Sequence, residues 1–317
     1  MRFGGTVGQA VRVDQTLRQN RKGRAMATQK VTLLGTGLMG FPMARNLVEA
    51  AVPLTVWNRT KTKAHPLAAI GAEVVDTTFD AVTDADIIIS MMSDGPTVLA
   101  MIAEVEKALK PGALWIDMSS TKPDEARAQA EALRALNVAH LDAPVSGGTK
   151  GAAAATLAIM VGGSVKDMDR AKPTLAAMGN PVHVGPSGAG QLSKLCNQTI
   201  VAVTIGAVAE AMLLAEQGGA DPAALRAALK GGFADSVILQ QHGERMTTGN
   251  FEPGGLSKFQ LKDLNNALFE AEAVDLKLPM TQSVRDRFAH FVDHMNGADK
   301  DHSGLYLELR KQNGMDT

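Results

Sequence analysis

The 317-residue sequence predicts an α/β fold in which a doubly wound, mostly parallel sheet domain is followed by an all-α domain. Three observations predict it. An apolar run at 30–34 leads into Gly35, Thr36, Gly37, Leu38, Met39 and Gly40, and then into a segment with helical spacing. Short apolar strands and helical patterns then alternate as far as residue 184, and repeated strand–helix units make a parallel sheet covered on both faces. From Asp221 onward only helical patterns are found. The expected division is a basic extension at 1–28, a sheet domain at 29–187, a long interdomain helix at 188–217 and an all-α domain at 218–317.

Strand, glycine turn and helix in this order around residues 30–50 are the context a dinucleotide fingerprint requires. Gly35 permits the tight turn, Gly37 lets the backbone approach a pyrophosphate, and Gly40 lets helix and strand pack closely. The helix N-terminus adds free N–H groups and a partial positive charge. The second strand, 53–57, ends at Asn58, Arg59 and Thr60, where NAD binders carry an acid for the ribose 2′-OH. An arginine there can clamp a 2′-phosphate with two parallel hydrogen bonds, and an asparagine can bond a ribose or phosphate oxygen. NADP is therefore the expected cofactor, with NAD as the alternative.

Strands at 86–92 and 113–117 follow, with helices at 97–109 and 123–136. In such a sheet ligands lie at the carboxyl ends of the strands. Polar or glycine-bearing loops occur there at 93–97, 118–122 and 142–152. The last sets Ser146, Gly147 and Gly148 where successive backbone N–H groups can form an anion nest. Two more strands, 156–161 and 181–184, bracket a helix at 166–178.

The helix predicted over 188–216 organises the chain. Its apolar content from 200 to 214 reads as a largely buried element. Near its start Lys194 has Gln191 at i−3, Asn197 at i+3 and Gln198 at i+4, which puts four polar groups on one face. A solvated helix end would carry such residues too; the surrounding motifs favour chemistry mounted on a core element. Further helices are expected at 222–230, 236–247, 257–274, 280–296 and 302–311. Asp221 before Pro222 reads as an N-cap, and Lys262 and Asp263 lie on the polar face of 257–274.

Composition narrows the function. With 45% apolar residues, 32 basic and 33 acidic side chains, the net charge is −1, which argues against nucleic acid or a membrane surface as the main partner. The apolar part of the 188–216 helix reads as shorter than a membrane span. Cys196 is the single cysteine, so no intramolecular disulfide forms, which fits a reducing, cytoplasmic setting. Two residues from Lys194, it falls on another helix face and reads as a packing residue. His290 and His294 stand at i, i+4 beside Asp293 without a third distant ligand, so no metal is expected. The first 30 residues are arginine-rich with Asp14 as the sole acid, like a transit peptide, but they contain no serine. The extension is expected to be dispensable, or to precede a working start at Met26.

The motifs GTGLMGFPMARNL, DAPVSGG, GAGQLSKLCNQ and KDL occur in the order and spacing of the β-hydroxyacid dehydrogenases, a family the chain resembles from 31 to 310. That family includes 3-hydroxyisobutyrate dehydrogenase, tartronate semialdehyde reductase and the glyoxylate/succinic semialdehyde reductases. The resemblance implies a Rossmann domain, an α-helical C-terminal domain and a catalytic lysine at Lys194. It further implies that Ser120 and the Ser146, Gly147, Gly148 turn hold a substrate carboxylate. Asn197 would orient the substrate, while Lys262 and Asp263 close over cofactor and substrate. The expected cofactor contacts are Gly35, Thr36, Gly37, Leu38, Met39, Gly40, Asn58, Arg59, Thr60, Met92, Gly95 and Lys262.

Three departures bear on substrate choice. Gln198 stands where many members carry a second asparagine, and the Asn197, Gln198 pair resembles the tartronate semialdehyde reductases. Gly255 stands where relatives often have an aromatic, so the pocket is either wider or filled by Phe259. The Asn58, Arg59, Thr60 strand end resembles NADPH-using glyoxylate reductases, and Lys194 argues against the related imine reductases, which lack it. The expectation is an NADP-dependent oxidoreductase moving a hydride between nicotinamide and a small 3-oxo or 3-hydroxy acid, assembled as a homodimer or homotetramer. An NAD-dependent 3-hydroxyisobutyrate dehydrogenase and a non-catalytic NADP-binding protein are the alternatives.

Overall fold

The computed structural model describes residues 29–316. The basic extension, its dispensability and the Met26 start lie outside the described residues. The sheet part runs β1 (Val31–Leu34), α1 (Gly40–Glu49), β2 (Leu54–Trp57), α2 (His65–Ala68), β3 (Glu73–Val74), α3 (Thr78–Val82), β4 (Ile87–Ser90), α4 (Gly95–Val105), β5 (Leu114–Asp117) and α5 (Pro123–Ala135). It continues through β6 (Ala139–Asp142), β7 (Val145–Ser146), α6 (Gly148–Ala153), β8 (Leu157–Gly163), α7 (Val165–Ala176) and β9 (Gly179–Gly185). The strand order is β3-β2-β1-β4-β5-β6-β8-β7, with β9 on the free side of β8. The first six strands are parallel; β8 runs antiparallel to both β6 and β7.

Alternate strand residues face opposite sides of a sheet, so a strand covered on both faces must be apolar throughout. Val31, Leu33, Ile87, Ile89, Leu114 and Ile116 enter one core; Leu34, Ile88 and Trp115 enter the other. The order reverses between β1 and β4, and a ligand crevice opens at the carboxyl ends of strands at such a switch point.

Three strands were not anticipated. β3 and β7 are two residues long, and β6 carries His140 and Asp142 where an apolar run would be expected. The segment read as a loop over 142–152 in fact contains β7 and α6. α4 starts two residues early because the Asp94 carboxylate caps it, accepting from the Thr97 N–H at 2.9 Å.

The chain then forms α8 (Ala189–Gln217), a 29-residue helix, followed by α9 (Pro222–Leu229), α10 (Val237–Thr248), α11 (Ser257–Glu272), α12 (Pro279–His294) and α13 (Leu305–Gln312). Asp221 caps α9 and Ser236 caps α10 through their side-chain oxygens. Ala202, Ile205, Ala209 and Met212 of α8 pack with Leu239, Leu264, Phe288 and Leu305 in a third core. Two expectations about α8 are corrected. Less than half of its most apolar stretch is buried within the chain, with Leu192, Ile200 and Leu214 exposed. It is also long and apolar enough to cross a membrane, although here β8, α10, α11, α12 and α13 pack against it. Cys196 is exposed, so the packing reading for it is corrected as well.

Candidate active site

The crevice begins at the glycine turn. Gly35 has φ +100°, and a Cβ there would collide with the Met91 carbonyl of the neighbouring strand end. A Cβ on Gly40 would collide with the Gly35 carbonyl, which is how closely helix α1 approaches the turn. At Gly37, by contrast, a Cβ would meet nothing within 4 Å, so the backbone lies open. Among the described residues the N–H groups of Gly37, Leu38 and Met39 make no hydrogen bond. Leu38 is largely exposed, while Thr36 is buried with a hydroxyl that has no partner. Open N–H groups at a helix start suit a pyrophosphate, so the turn fits a dinucleotide.

The other residues expected at the cofactor divide. Arg59 and Thr60 are exposed at the end of β2, and Arg59 makes no hydrogen bond or ion pair among the described residues. Asn58, expected to face a ribose, spends its side chain on the protein: it accepts from the Thr36 N–H at 2.9 Å and donates to the Thr60 carbonyl at 2.9 Å. Met92 donates its N–H to the Ser119 hydroxyl at 2.8 Å. Gly95 abuts the Glu125 side chain, which a Cβ would strike at 2.5 Å, so its need for glycine is packing between α4 and α5.

The face of α8 that carries Lys194 is a polar relay. The Lys194 ammonium is half-buried and donates to the Gln198 side-chain oxygen at 3.1 Å. Asn197 donates to the same oxygen at 2.9 Å, and the Gln198 amide nitrogen donates to Asp263 on α11 at 2.8 Å. Lys262 lies 3.6 Å from the other Asp263 oxygen. Burial pushes the Lys194 pKa below the ordinary lysine value; the Asp263 charge opposes this and the Lys262 charge adds to it. The Ser146 hydroxyl donates to the Asn197 side-chain oxygen at 3.4 Å, which ties the β7 end to the lysine's helix. Gly147 and Gly148 follow with φ +136° and +59°, and among the described residues the Gly147 N–H makes no bond. Gln198 was visible in the sequence as an i+4 neighbour and as a departure from the family's second asparagine; its part as hub depends on α11 and could not be read from spacing.

Gln191 departs from the expected polar face. It is fully buried, and its amide turns into the 118–122 loop. Asp142, the last residue of β6, accepts from the Gly188 N–H at 2.8 Å and the Gln191 N–H at 2.9 Å, so a carboxylate from the sheet caps α8. Burial raises the Asp142 pKa, those two hydrogen bonds lower it, and its cross-strand partner Asp117 raises it again. Ser120 is half-buried with no hydrogen bond among the described residues.

A second cluster lies behind the relay. His242, Asp301 and His302 bring ligand-type atoms within 4.8 Å of one another. Both Asp301 oxygens are already taken, by the N–H groups of Gly254, Gly255 and Ser303 and by the Ser303 hydroxyl, with Arg245 3.5 Å away. A spent carboxylate beside a guanidinium is a brace. His302, whose pKa burial pushes down to about 4, bonds Gln260 at 3.3 Å, and Gln260 donates to the Gln198 carbonyl at 3.1 Å. A Cβ on Gly255 would meet the His302 ring at 3.1 Å, so that glycine makes room for the imidazole and does not widen a pocket. Phe259 is exposed, with the Lys258 ammonium 5.7 Å from its ring centre. His290, set aside as a ligand, bonds Glu308 at 3.2 Å.

Residues 30–186 match the NAD binding domain of 6-phosphogluconate dehydrogenase, and residues 188–309 match the NAD-binding region of NADP-dependent 3-hydroxyisobutyrate dehydrogenase. The 2-hydroxy-3-oxopropionate reductase of Escherichia coli (strain K12) is 42% identical over 284 residues, covering 88% of this chain and 97% of the relative. The NAD-dependent L-serine dehydrogenase of Pseudomonas aeruginosa is 34% identical over 263 residues, covering 80% of this chain and 88% of the relative. The solved structure of Mycobacterium tuberculosis 3-hydroxyisobutyrate dehydrogenase with L-serine matches with a TM-score of 0.81 at 34% identity, covering 89% of this chain and 99% of that one.

Proposed function

This chain belongs to the β-hydroxyacid dehydrogenase family of NAD(P)-dependent oxidoreductases acting on CH–OH groups, and we propose that it is an NADP-linked reductase of small semialdehyde acids. The observation that carries the reading is the half-buried Lys194 ammonium, held by Gln198 on the helix that joins the sheet to the helical part. When bound, the nicotinamide supplies or accepts the hydride at its C4 carbon. The protein must then orient the substrate and manage one proton. In reduction Lys194 Nζ gives a proton to the oxygen of the carbonyl that becomes the alcohol; in oxidation it takes that proton back. A lysine pKa lowered by burial brings this exchange closer to neutral pH.

Ser120 and the Ser146, Gly147, Gly148 turn would hold the substrate carboxylate, and Asn197 would orient the reacting end. Lys262 and Asp263 would cover cofactor and substrate from α11. On the cofactor side, Gly37, Leu38 and Met39 offer open N–H groups to the pyrophosphate, with Thr36, Gly35, Gly40, Met92 and Gly95 shaping the crevice. Asn58 then acts as a brace for the turn. Residues 29–187 serve the cofactor, and 218–317 serve substrate closure and assembly.

The test is NADPH oxidation with a panel that includes 2-hydroxy-3-oxopropionate, glyoxylate and succinic semialdehyde. Turnover of at least one is expected; turnover of none, with NADPH still bound, would favour the non-catalytic alternative. Arg59 decides the cofactor. Replacing Arg59 by alanine removes a charge-assisted contact worth about 1.5–3 kcal/mol, so NADPH binding should weaken by roughly one to two decades. NADH binding should barely move. Titration of both cofactors checks this, and an equal response would return the NAD-linked 3-hydroxyisobutyrate dehydrogenase reading to first place.

The reading also includes a cytoplasmic homo-oligomer. Leu192, Ile200, Val274 and Leu276 are exposed along an apolar groove between α8 and α11, beside Cys196. A second copy covering that groove would remove this surface from water. Light scattering should return the mass of a dimer or tetramer, and Ile200→Asp should shift it towards the monomer. A wild-type monomer mass would contradict the assembly.

A further inference from the structure

The buried amide of Gln191 engages the backbone on both sides of one residue. Its side-chain oxygen accepts from the Thr121 N–H at 3.0 Å, and its side-chain nitrogen donates to the Ser119 carbonyl at 2.8 Å. Ser120 is the residue bracketed. Gln191 is itself immobilised: it is fully buried, and its own N–H is held by Asp142 at 2.9 Å. Lys194 lies three residues further along the same helix, about 4.5 Å along its axis. One side chain therefore joins the loop that carries Ser120 to the helix that carries Lys194.

We infer that Gln191 is a positioning residue that sets the span between Ser120 and the Lys194 ammonium, and through it the preference for short aldehydes bearing a carboxylate. The inference rests on the functional reading above, in which Ser120 meets the carboxylate and Lys194 meets the reacting oxygen. A primary amide is the group the geometry requires, since it donates and accepts side by side as a peptide unit does. A carboxylate in its place would keep the bond from Thr121 but set an oxygen against the Ser119 carbonyl. An alanine would free the loop from the helix altogether. The anchor would then wander relative to the acid, and misplacement on the scale of an ångström is enough to cost about 10²-fold.

The test compares wild type, Gln191→Ala and the near-isosteric Gln191→Glu on two aldehydes of equal length, one bearing the carboxylate and one without it. For both variants KM for the carboxylate-bearing aldehyde should rise by about 10–100-fold. Turnover of the uncharged aldehyde and NADPH affinity should stay within a few-fold of wild type. The discrimination between the two aldehydes should therefore collapse. A structural role alone would lower both activities in proportion, and that result, or retained discrimination, would overturn the inference. Hydrogen exchange at the Thr121 amide supplies a readout that needs no turnover: faster exchange in Gln191→Ala, which removes the acceptor, supports the clamp, and wild-type protection in that variant contradicts it. Should the wild type reduce no carboxylate-bearing aldehyde, the functional reading fails, while the exchange result still decides whether the clamp exists.

Discussion

Replacing Lys194 by alanine is expected to cut turnover by about 10²–10⁴-fold, the range for a lost general acid. NADPH affinity should be spared, because the open N–H groups at 37–39 and Arg59 belong to the sheet and not to α8. Folding should also survive, since the ammonium is bonded to one side-chain oxygen and little apolar surface is lost. Lys194→Arg should fail almost as badly. A guanidinium hardly gives up a proton, and its planar fork does not fit a site that holds an ammonium against one amide oxygen. Circular dichroism, NADPH titration and kcat with the best aldehyde check all three statements. Turnover of Lys194→Ala within a few-fold of wild type would remove Lys194 as the acid.

The largest loss of stability is expected at Asp301. Its carboxylate is buried and receives four hydrogen bonds from the 254–255 and 303 segments, beside the Arg245 guanidinium. Alanine there leaves those donors and that charge without their anion. Breaking a buried charged network costs about 3–5 kcal/mol, which lowers the melting temperature by roughly 5–8 °C in a chain of this size. Burial works to raise the Asp301 pKa, but the His242 ring 3.5 Å away and the hydrogen bonds from Ser303 and Gly255 outweigh it and hold it well below the carboxylate range. With the folded pKa depressed, the contribution is complete at neutral pH and is lost as pH falls from about 4 towards that lower value. The gap between wild type and Asp301→Ala should narrow in acid. A melting temperature within 2 °C of wild type at neutral pH would contradict the bracing role.

The parts legible in the sequence were those encoded locally. β1 to α1 could be read because glycine spacing, strand and helix lie within some twenty residues, and α8 because its apolar run is long and uninterrupted by proline. β6 was missed because its four residues include His140 and Asp142, whose burial depends on Gln129 and on the start of α8. The same holds for the candidate site. Lys194, Asn197 and Ser146 were candidates by motif, whereas Gln198 became a hub only when Asp263 arrived from α11, 65 residues away. Asp301 had no local signal, since its partners come from two loops that meet only in the fold. Cys196 failed for a different reason: helical spacing names a face without saying whether anything covers it.

The most direct measurement of the central claim is the pH profile of kcat for NADPH-driven reduction, in wild type and Lys194→Ala side by side. A general acid must be protonated to act, so wild-type turnover should fall as pH rises, about tenfold per unit at the steepest. Because burial lowers the Lys194 pKa, the midpoint of that fall should lie below the ordinary lysine value of about 10.4. The residual activity of Lys194→Ala should lack this limb. The same alkaline limb in both proteins would contradict the account, because the titrating acid would then be a group other than Lys194.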